Sequence, residues 1–220
     1  TMGSPSNEYT RESDETQHQV TLTQPFYMQQ TEVTQAQWVA VMGSNPSYHD
    51  NCPTCPVEQV TWNDVQGFIT KMNVRGEGTY SLPTEAQWEY AARAGSITAF
   101  CNGGMTYSNH DTCLYDTNLY AIGWYCDNSG EEAHPVGQKS PNAWGLYDMS
   151  GNVWEWCSDW YGSYSSSAVT DPTGPSSGSG RVARSGSWVS YAGTCRSAFR
   201  GANYPYRSAN YVGFRLVRQP

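Results

Sequence analysis

The side chains that could bind a metal or react as nucleophiles include seven cysteines and four histidines in a chain of 220 residues. Cys52 and Cys55 form a C-x-x-C pair, and His49 lies three residues before Cys52. One such pair supplies only half of the ligands of a tetrahedral zinc site, and it lacks the strand-helix context of a thioredoxin motif. We therefore expect a local disulfide or two unlinked thiols here rather than a bound metal.

The remaining cysteines and the histidines show no ligand spacing. No two histidines have the i, i+4 spacing that places two imidazole rings on one face of a helix. The histidines are His18, His49, His110 and His134. Cys101 and Cys113 are the other candidate pair for a disulfide. Because the number of cysteines is odd, a fully paired secreted scaffold is disfavoured, and the sequence leaves the cellular compartment open.

The charge of the chain limits its partners. A formal net charge of −8 and an isoelectric point near 4.9 argue against nucleic acid or an anionic membrane as the main partner. No apolar run approaches the roughly 20 residues that span a bilayer, so we expect no membrane insertion by this domain. After Asp171 there is no acidic residue, but there are seven arginines: Arg181, Arg184, Arg196, Arg200, Arg207, Arg215 and Arg218. They either bond structurally to carbonyls and carboxylates or form a locally positive binding face.

The segment from Val189 to Tyr211, called the variable segment below, has an unusual composition. Fifteen of its 23 residues are Tyr, Ser, Ala, Gly or Asn, and it contains no Asp, Glu, His, Lys, Gln, Met, Trp, Leu or Ile. Such a composition suits neither a buried strand nor a carboxylate-based active site. It is typical of a paratope, in which tyrosines offer large contact faces at small rotamer cost and small polar residues offer adaptable hydrogen bonds. The tyrosines are Tyr191, Tyr204, Tyr206 and Tyr211.

Local patterns predict a few short elements joined by long loops. Residues 19–22, 26–28, 181–183 and 213–218 are typical of strands. Three helices are predicted to follow capping residues, the first ending at Gly43 and the third before Gly95. The capping pairs are Thr34 with Gln37, Thr61 with Asp64, and Thr84 with Gln87. No helix is predicted after Gly95, and residues 163–180 are expected to form a surface loop within one domain.

Eight motifs in order identify the chain as similar to the formylglycine-generating enzyme family, also called the sulfatase-modifying factor family. They are residues 31–34 (TEVT), 45–47 (NPS), 56–58 (PVE), 82–93 (LPTE to WEYAAR), 145–148 (GLYD), 151–156 (GNVWEW), 186–188 (GSW) and 213–215 (GFR). The resemblance implies an α+β fold of the C-type lectin-like kind, loop-rich with few short helices and strands. It covers residues 1–220 as a single domain, with residues 185–220 as the ligand-binding variable region.

The enzymes of this family resemble copper oxidases with two active-site cysteines five residues apart. In this chain the second cysteine falls on Cys195 and the first on Ser190. Copper(I) prefers soft thiolates to a hard hydroxyl, so the resemblance predicts that the chain is not an enzyme. A formylglycine-generating or related metal-assisted oxidase is the alternative. Family members that make sulfoxides resemble fusions to an iron-binding helical domain, which this chain does not contain.

A third branch of the family fits the variable segment better. Variable proteins of diversity-generating retroelements use the same fold, and adenine mutagenesis of asparagine codons there cannot produce Glu, Gln, Lys, Met or Trp. The resemblance implies a receptor for a protein ligand on a cell or phage, displayed on a cell surface or virion. An undiversified structural domain of a larger surface protein is a further alternative. The implied ligand-binding residues are Val189, Ser190, Tyr191, Gly193, Thr194, Phe199, Gly201, Ala202, Asn203, Tyr204, Tyr206, Ser208, Ala209, Asn210 and Tyr211.

The resemblance also implies a structural calcium site. Its ligands would be the side chains of Asp148 and Glu155 and the carbonyls of Gly151 and Val153, because hard oxygen ligands suit Ca²⁺. The alternative is that the two carboxylates accept loop N–H groups. A second calcium site would involve Asn128 and Gly130. Two further sets are expected to be core: the tryptophans Trp154, Trp156, Trp160 and Trp188, and the cysteines Cys157 and Cys195.

Overall fold

The computed structural model describes residues 1–107 and 112–220. Three of its helices are α1 (Gln35–Met42), α2 (Trp62–Val74) and α3 (Glu85–Arg93). Each begins after a threonine whose hydroxyl accepts a hydrogen bond from an amide of the first turn, as the sequence predicts. The helix α1 ends at Gly43, which has a φ of 94°. All three predicted helices are therefore confirmed.

Two short helices contradict the prediction that no helix follows Gly95. They are α4 (Thr117–Ile122) and a single 3₁₀ turn at Ala192–Cys195. In α4 the Asp116 carboxylate caps the amides of residues 118 and 119, but only Leu119 and Ile122 are buried. A helix of six residues presents too few apolar positions for a period of 3.6 to be recognised in the sequence.

The strands of the described residues are short and form three sheets. The strands β1 (Val20–Thr21) and β5 (Val169–Thr170) pair in parallel. A three-stranded antiparallel sheet has the order β2 (Tyr27–Met28), β9 (Val217–Arg218) and β3 (Tyr80–Ser81). The largest sheet has the order β7 (Gly201–Asn203), β6 (Arg181–Arg184), β4 (Trp154–Trp160) and β8 (Val212–Gly213). Each predicted strand region contains a strand, and the predicted surface loop contains β5, so the fold is the expected loop-rich α+β type.

The main core lies between α1, α2 and the four-stranded sheet. Trp38 stacks on Phe68 at 5.2 Å between ring centroids, and Phe214 packs edge-on against both rings. Trp156 is fully buried and its indole donates to the carbonyl of Val60 at 3.1 Å. The large apolar surface that these aromatic rings bury compensates for the scarcity of aliphatic side chains in the core.

The four tryptophans predicted to be core divide into two pairs. Trp156 and Trp188 are buried, whereas Trp154 and Trp160 are half-buried. Trp154 packs against the main core, and the guanidinium of Arg181 lies 3.6 Å from the Trp160 ring centroid. The prediction is therefore confirmed for the first pair only, because the other two rings are partly exposed.

Two disulfides are present among the described residues. Cys52–Cys55 is the local bridge that the sequence allowed. Cys113 pairs with Cys126 and not with Cys101, so the predicted Cys101–Cys113 pairing is wrong. The fold places the Cα atoms of Cys113 and Cys126 5.8 Å apart, on either side of α4, a proximity that sequence spacing did not reveal.

Candidate ligand-binding surface

The variable segment begins after a tight backbone turn. Ser185 and Gly186 both have positive φ, and a Cβ atom on Gly186 would lie 2.6 Å from the sulfur of Cys195. The amide of Trp188 donates to the carbonyl of Asn152 at 2.8 Å, and the amide of Gly151 donates to the carbonyl of Ser185 at 2.7 Å. This turn therefore fixes where the segment leaves the core.

Most of the predicted ligand-binding residues are accessible. Fourteen of the fifteen are exposed or half-buried, and only Gly193 is buried. The exposed large side chains among them have the following exposed fractions: Val189 49%, Tyr191 41%, Tyr204 43%, Tyr206 66% and Tyr211 37%. We call these fourteen accessible residues the candidate surface. Exposed rings of this size are the groups that dominate contact energy in recognition surfaces.

The residues between the predicted contact positions behave differently. Eight positions of the variable segment were not predicted to contact a ligand, and six of these are buried. The six, called the framework residues, are Ala192, Cys195, Arg196, Ser197, Ala198 and Arg200. Pro205 is half-buried and Arg207 is exposed. Accessible and inaccessible side chains therefore alternate along the segment in nearly the pattern that the sequence predicted.

Arg196 ties the segment to the beginning of the chain. It is fully buried, and its guanidinium donates to both carboxylate oxygens of Glu15, at 2.6 and 2.8 Å, and to Glu8 at 2.7 Å. It also donates to the carbonyls of Thr10 and Gly193. Because the Arg196 guanidinium makes this many charge-assisted hydrogen bonds, it holds the backbone on both sides of Cys195 in one position.

Arg200 and Arg184 fix the next part of the segment to α3. Arg200 donates to both carboxylate oxygens of Glu85 at 2.7 Å. Arg184 donates to Glu89 at 2.6 Å and to the carbonyls of Ser197 and Ala198. With Arg196 and Arg215, these arginines are buried in ion pairs. The structural interpretation is therefore confirmed for these four, and they form no positive face.

Two tryptophans connect the beginning and the end of the variable segment. Trp188 directly precedes Val189 in the chain, and its indole donates to the carbonyl of Asn210 at 3.1 Å. The amide of Trp154 donates to the carbonyl of Tyr211 at 2.8 Å, and its ring lies 6.0 Å from that of Phe199. Each tryptophan therefore connects two positions of the variable segment that are more than ten residues apart.

The last part of the segment is held by its own side chains. The rings of Tyr204 and Tyr206 stack at 5.5 Å between centroids. The guanidinium of Arg207 lies 5.2 Å from the Tyr204 ring, and its amide donates to the Tyr204 carbonyl. The amide of Asn63 donates to the carbonyl of Pro205 at 3.4 Å, which anchors this turn to α2.

A second loop that the sequence did not single out as a contact site lies beside Trp188. The exposed ring of Tyr48 is 4.9 Å from the ring of His49, which is 6.5 Å from that of Trp188. The amide of His49 donates to the buried carboxylate of Glu58, and burial raises the pKa of Glu58 to about 7. Nothing in the sequence of residues 45–49 indicates this contact, because the NPS motif at residues 45–47 marks only the family.

Ser190 and Cys195 are the residues at which the resemblance implies the two cysteines of the oxidases. The Ser190 hydroxyl accepts a hydrogen bond from the amide of Ser187 at 2.9 Å. Cys195 and Cys157 are fully buried free cysteines, as predicted, and burial raises the pKa of Cys195 to about 12. At neutral pH such a thiol is protonated, whereas the thiolate is the form that binds metals and reacts.

A buried carboxylate cluster contains two of the predicted calcium ligands. Glu155 is fully buried, and its two oxygens accept hydrogen bonds from Arg215 and from the indole of Trp88, each at 2.7 Å. Asp148 accepts from the amide of Gly137 at 2.7 Å through Oδ2. Its Oδ1 is buried and has no hydrogen-bond partner among the described residues. Glu155 thus serves as the anchor of Arg215.

Glu32 adds a third carboxyl group to this cluster. Its Oε1 accepts from the side chain of Asn152 at 3.0 Å, and its Oε2 is buried without a partner among the described residues, 4.0 Å from Arg215. Burial and then the charge of Asp148 raise the pKa of Glu32, and burial also raises the pKa of Asp148. Three carboxyl groups face one guanidinium, so a proton or a cation is needed to balance the charge.

The predicted calcium site at Asp148, Gly151, Val153 and Glu155 fits this environment in part. The unpartnered oxygen of Asp148 is a hard ligand of the kind that Ca²⁺ prefers. However, the carbonyl of Gly151 already accepts from the hydroxyl of Ser185 at 3.0 Å. In residues 1–107 and 112–220 no three His, Cys, Asp or Glu side chains are grouped to hold a metal. Calcium at this position therefore stays a prediction.

At the second predicted calcium site, the side chain of Asn128 makes hydrogen bonds to the backbone of a nearby turn. The Asn128 side chain accepts from the amide of Tyr125 at 2.9 Å and donates to the carbonyl of Gly123 at 3.0 Å. Gly130 is exposed with a φ of 64°. This second calcium site also stays a prediction. Of the four histidines considered as metal ligands, His110 lies outside the described residues.

Comparison with known proteins defines the family. The sulfatase-modifying factor enzyme 1-like domain matches residues 1–220, so the chain belongs to that family. The formylglycine-generating enzyme of Thermomonospora curvata is 36% identical over 199 residues, which cover 84% of this chain and 62% of that protein. The chain thus spans less than two thirds of the length of this relative.

Two solved structures are similar over the whole chain. Treponema denticola variable protein 1 has a TM-score of 0.84 and 30% identity, and the match covers 100% of this chain and 92% of that one. PvdO from Pseudomonas aeruginosa has a TM-score of 0.83 and 26% identity, with coverage of 100% and 90%. Within the described residues, no helix has the length and apolar character needed to cross a membrane.

Proposed function

We propose that this chain is a ligand-binding variable protein of a diversity-generating retroelement. One observation carries the proposal: in the variable segment, fourteen of the fifteen predicted contact residues are accessible, and six of the eight intervening residues are buried. Substitution at accessible positions changes the recognition surface, whereas the framework residues keep the backbone in place. Stability and specificity are thereby assigned to different side chains.

The mechanism of this function is display on a rigid support. Arg184, Arg196 and Arg200 hold the segment through buried ion pairs to α3 and to the N-terminal residues. Because the backbone is already fixed, binding costs little additional ordering entropy. Tyrosines on such a support offer large contact faces with only two rotatable side-chain bonds each. The similarity to Treponema denticola variable protein 1 supports this function.

The alternative function is a formylglycine-generating or related metal-assisted oxidase. It is favoured by the identity to the Thermomonospora curvata enzyme, although the chain spans only 62% of that protein. Against it stands Ser190 in the place that the resemblance gives to one thiol ligand, because copper(I) prefers soft thiolates to a hydroxyl. Copper(I) titration with a cysteine-bearing sulfatase peptide separates the two, because the binding protein forms no copper complex and leaves the peptide thiol unoxidised.

The ligand of the candidate surface is proposed to be a protein on another cell or a phage. The net charge of −8 disfavours nucleic acid, and exposed tyrosines suit a protein surface. Display on a cell surface or virion follows from that partner. Structural Ca²⁺ at the carboxylate cluster is part of the same proposal, because a divalent cation would balance the excess of carboxylates around Arg215.

The genomic DNA around the coding sequence tests the proposed function. A diversified protein requires a nearby template repeat whose sequence matches the codons of the variable segment except at adenines. We expect the differing codons to be those of the fifteen predicted residues and the six framework codons to be identical. A locus without such a repeat would remove the proposal and leave an undiversified structural domain.

A further inference from the structure

We propose that the groove between α1, α2 and the three-stranded sheet binds a monomeric alkyl carboxylate, that is, a ligand of the free fatty acid class. The groove is a site separate from the candidate surface, and the inference does not depend on the proposed function. It rests on an apolar floor, a size that suits a small ligand, and two cationic side chains with no carboxylate partner.

The floor of the groove is formed by the main core. Val33, Phe68, Leu216 and Val217 are all buried, and each lines the groove. The half-buried side chain of Met72 on α2 also lines it. The groove has a volume of about 460 Å³, within the range of roughly 300–1,000 Å³ found for small-molecule sites. An alkyl chain placed there would leave water for a mainly apolar surface.

Two arginines give the groove its charge. Arg75 follows the last residue of α2, and Arg218 lies on β9, the central strand of the sheet. Each makes one hydrogen bond to a backbone carbonyl: Arg75 to Ala40 at 3.2 Å and Arg218 to Glu77 at 3.5 Å. In residues 1–107 and 112–220 neither guanidinium lies within 4.0 Å of a carboxylate.

The charge of the groove is opposite in sign to the net charge of the chain. The described lining residues include Arg75 and Arg218 but no acidic side chain, in a chain whose net charge is −8. The other arginines near the core, such as Arg215 and Arg200, are paired with buried glutamates. Most donors of the two groove guanidiniums are therefore available to a ligand, and a carboxylate can accept two parallel N–H groups from one guanidinium.

The occupant that satisfies both features is an amphiphile with one negative head group. A neutral hydrocarbon would leave the guanidiniums unused, and a cationic amphiphile would be repelled by them. A bilayer surface fits less well, because Val33 and Phe68 are buried in the groove and, of its described aromatic side chains, only Tyr27 is exposed. We therefore assign the groove to a single dissolved molecule.

Isothermal titration calorimetry of the 220-residue chain with hexanoate, octanoate and decanoate tests the inference. We expect one saturable site and an affinity that rises about two- to fourfold for each added methylene group. Octanol should bind about tenfold more weakly than octanoate because it lacks the charge-assisted hydrogen bonds. Octylammonium should not compete with octanoate. Absence of saturable octanoate binding, or equal binding of octylammonium, would overturn the proposal.

Variants locate the binding site. The double variant Arg75→Gln, Arg218→Gln should lower octanoate affinity about tenfold and leave octanol unchanged. Lys71→Gln is the matched control, since Lys71 is exposed on the same helix but does not line the groove. Val41→Glu places a carboxylate in the groove and should weaken both ligands. Equal effects of the lysine and arginine variants would show a nonspecific charge effect and contradict the assignment.

Two further arms exclude other occupants. Sedimentation with phosphatidylglycerol vesicles should leave the protein in the supernatant, and analytical ultracentrifugation should give the same molar mass for wild type and Val41→Glu. Vesicle binding abolished by the arginine variants would make the groove a membrane site. A dimer that Val41→Glu dissociates would make its occupant a second copy of the chain. Either result would overturn the proposal, and circular dichroism confirms that each variant is folded.

Discussion

Arg196 and Glu15 form a two-pronged ion pair, 2.6 and 2.8 Å long, between residues 181 positions apart in the chain. Both side chains are fully buried. Arg196 belongs to the variable segment, in which nearby side chains such as Tyr191 and Thr194 are at least partly accessible. A fixed backbone and accessible side chains therefore occur within a few residues of each other, as a surface that varies without unfolding requires.

Removing the guanidinium of Arg196 should destabilise the protein strongly. Arg196→Met leaves the carboxylates of Glu15 and Glu8 buried without their cationic partner, which costs about 3–5 kcal/mol. Arg207→Met is the matched control, because Arg207 is exposed and its replacement should change the free energy of unfolding by less than about 0.5 kcal/mol. Urea denaturation measures both. Similar values for the two variants would contradict the framework role of Arg196.

Gly186→Ala should be more harmful than another glycine replacement with similar backbone strain. Gly186 has a φ of 68°, and a Cβ there would lie 2.6 Å from the sulfur of Cys195 and 3.0 Å from the carbonyl of Thr194. Gly43 has a φ of 94°, but a Cβ at that position would have no atom within 4 Å. We expect a loss of about 1–2 kcal/mol for Gly43→Ala from backbone strain and about 2–5 kcal/mol for Gly186→Ala.

The difference between the two glycine variants isolates the contact with Cys195. Thermal unfolding followed by circular dichroism gives both values under one set of conditions. A loss for Gly186→Ala no larger than that for Gly43→Ala would mean that the turn before the variable segment is free to move, contrary to a fixed backbone.

Glu58 should make stability depend on pH between about 4.5 and 7. Burial raises its folded-state pKa from 4.5 to about 7, so folding favours the protonated form. The stabilisation is fully present below pH 4.5 and is lost as the pH rises through 7. Glu58→Gln mimics the protonated group, so the variant should gain stability relative to wild type as the pH rises.

Chemical denaturation at several pH values measures this difference. Asp159, whose pKa burial raises to about 6, acts in the same direction in both proteins and cancels from the comparison. Glu77→Gln, at an exposed position, controls for the change in net charge. A difference between wild type and Glu58→Gln that does not vary with pH would show that Glu58 is ionised equally in the folded and unfolded states.

Calcium should stabilise the protein if the carboxylate cluster binds it. At 100 times its dissociation constant, a ligand that binds only the folded state adds about 2.7 kcal/mol. We expect Ca²⁺ to raise the melting temperature and EGTA to reverse the change. Asp148→Asn, which keeps one oxygen ligand but removes a charge, should weaken the effect. An identical melting temperature in Ca²⁺ and EGTA would contradict the predicted site.

The sequence predicted those features that depend on local chemistry or on the family resemblance. Threonine capping located three helices, and the resemblance to variable proteins separated most accessible positions of the variable segment from the buried ones. Features that depend on distant neighbours were missed, including the pairing of Cys113 with Cys126 and the carboxyl group of Glu32 beside Asp148. The short helix α4 was missed because too few of its residues are buried.

Tyr48 shows a further limit of the sequence. Its proximity to the variable segment through His49 and Trp188 arises from packing between loops more than 130 residues apart. Nothing in the local pattern of residues 45–49 encodes that contact. Gly193 shows the opposite error. It was predicted to contact a ligand, but the 3₁₀ turn at Ala192–Cys195 buries it.

Randomisation of the variable segment tests the central claim most directly. One library would vary the codons of the fifteen predicted contact residues, and a second would vary only the six framework residues. Resistance to protease on a display system measures the folded fraction of each. A rigid scaffold with interchangeable outer side chains predicts that most members of the first library and few of the second are folded. Equal folded fractions, or a mostly unfolded first library, would contradict it.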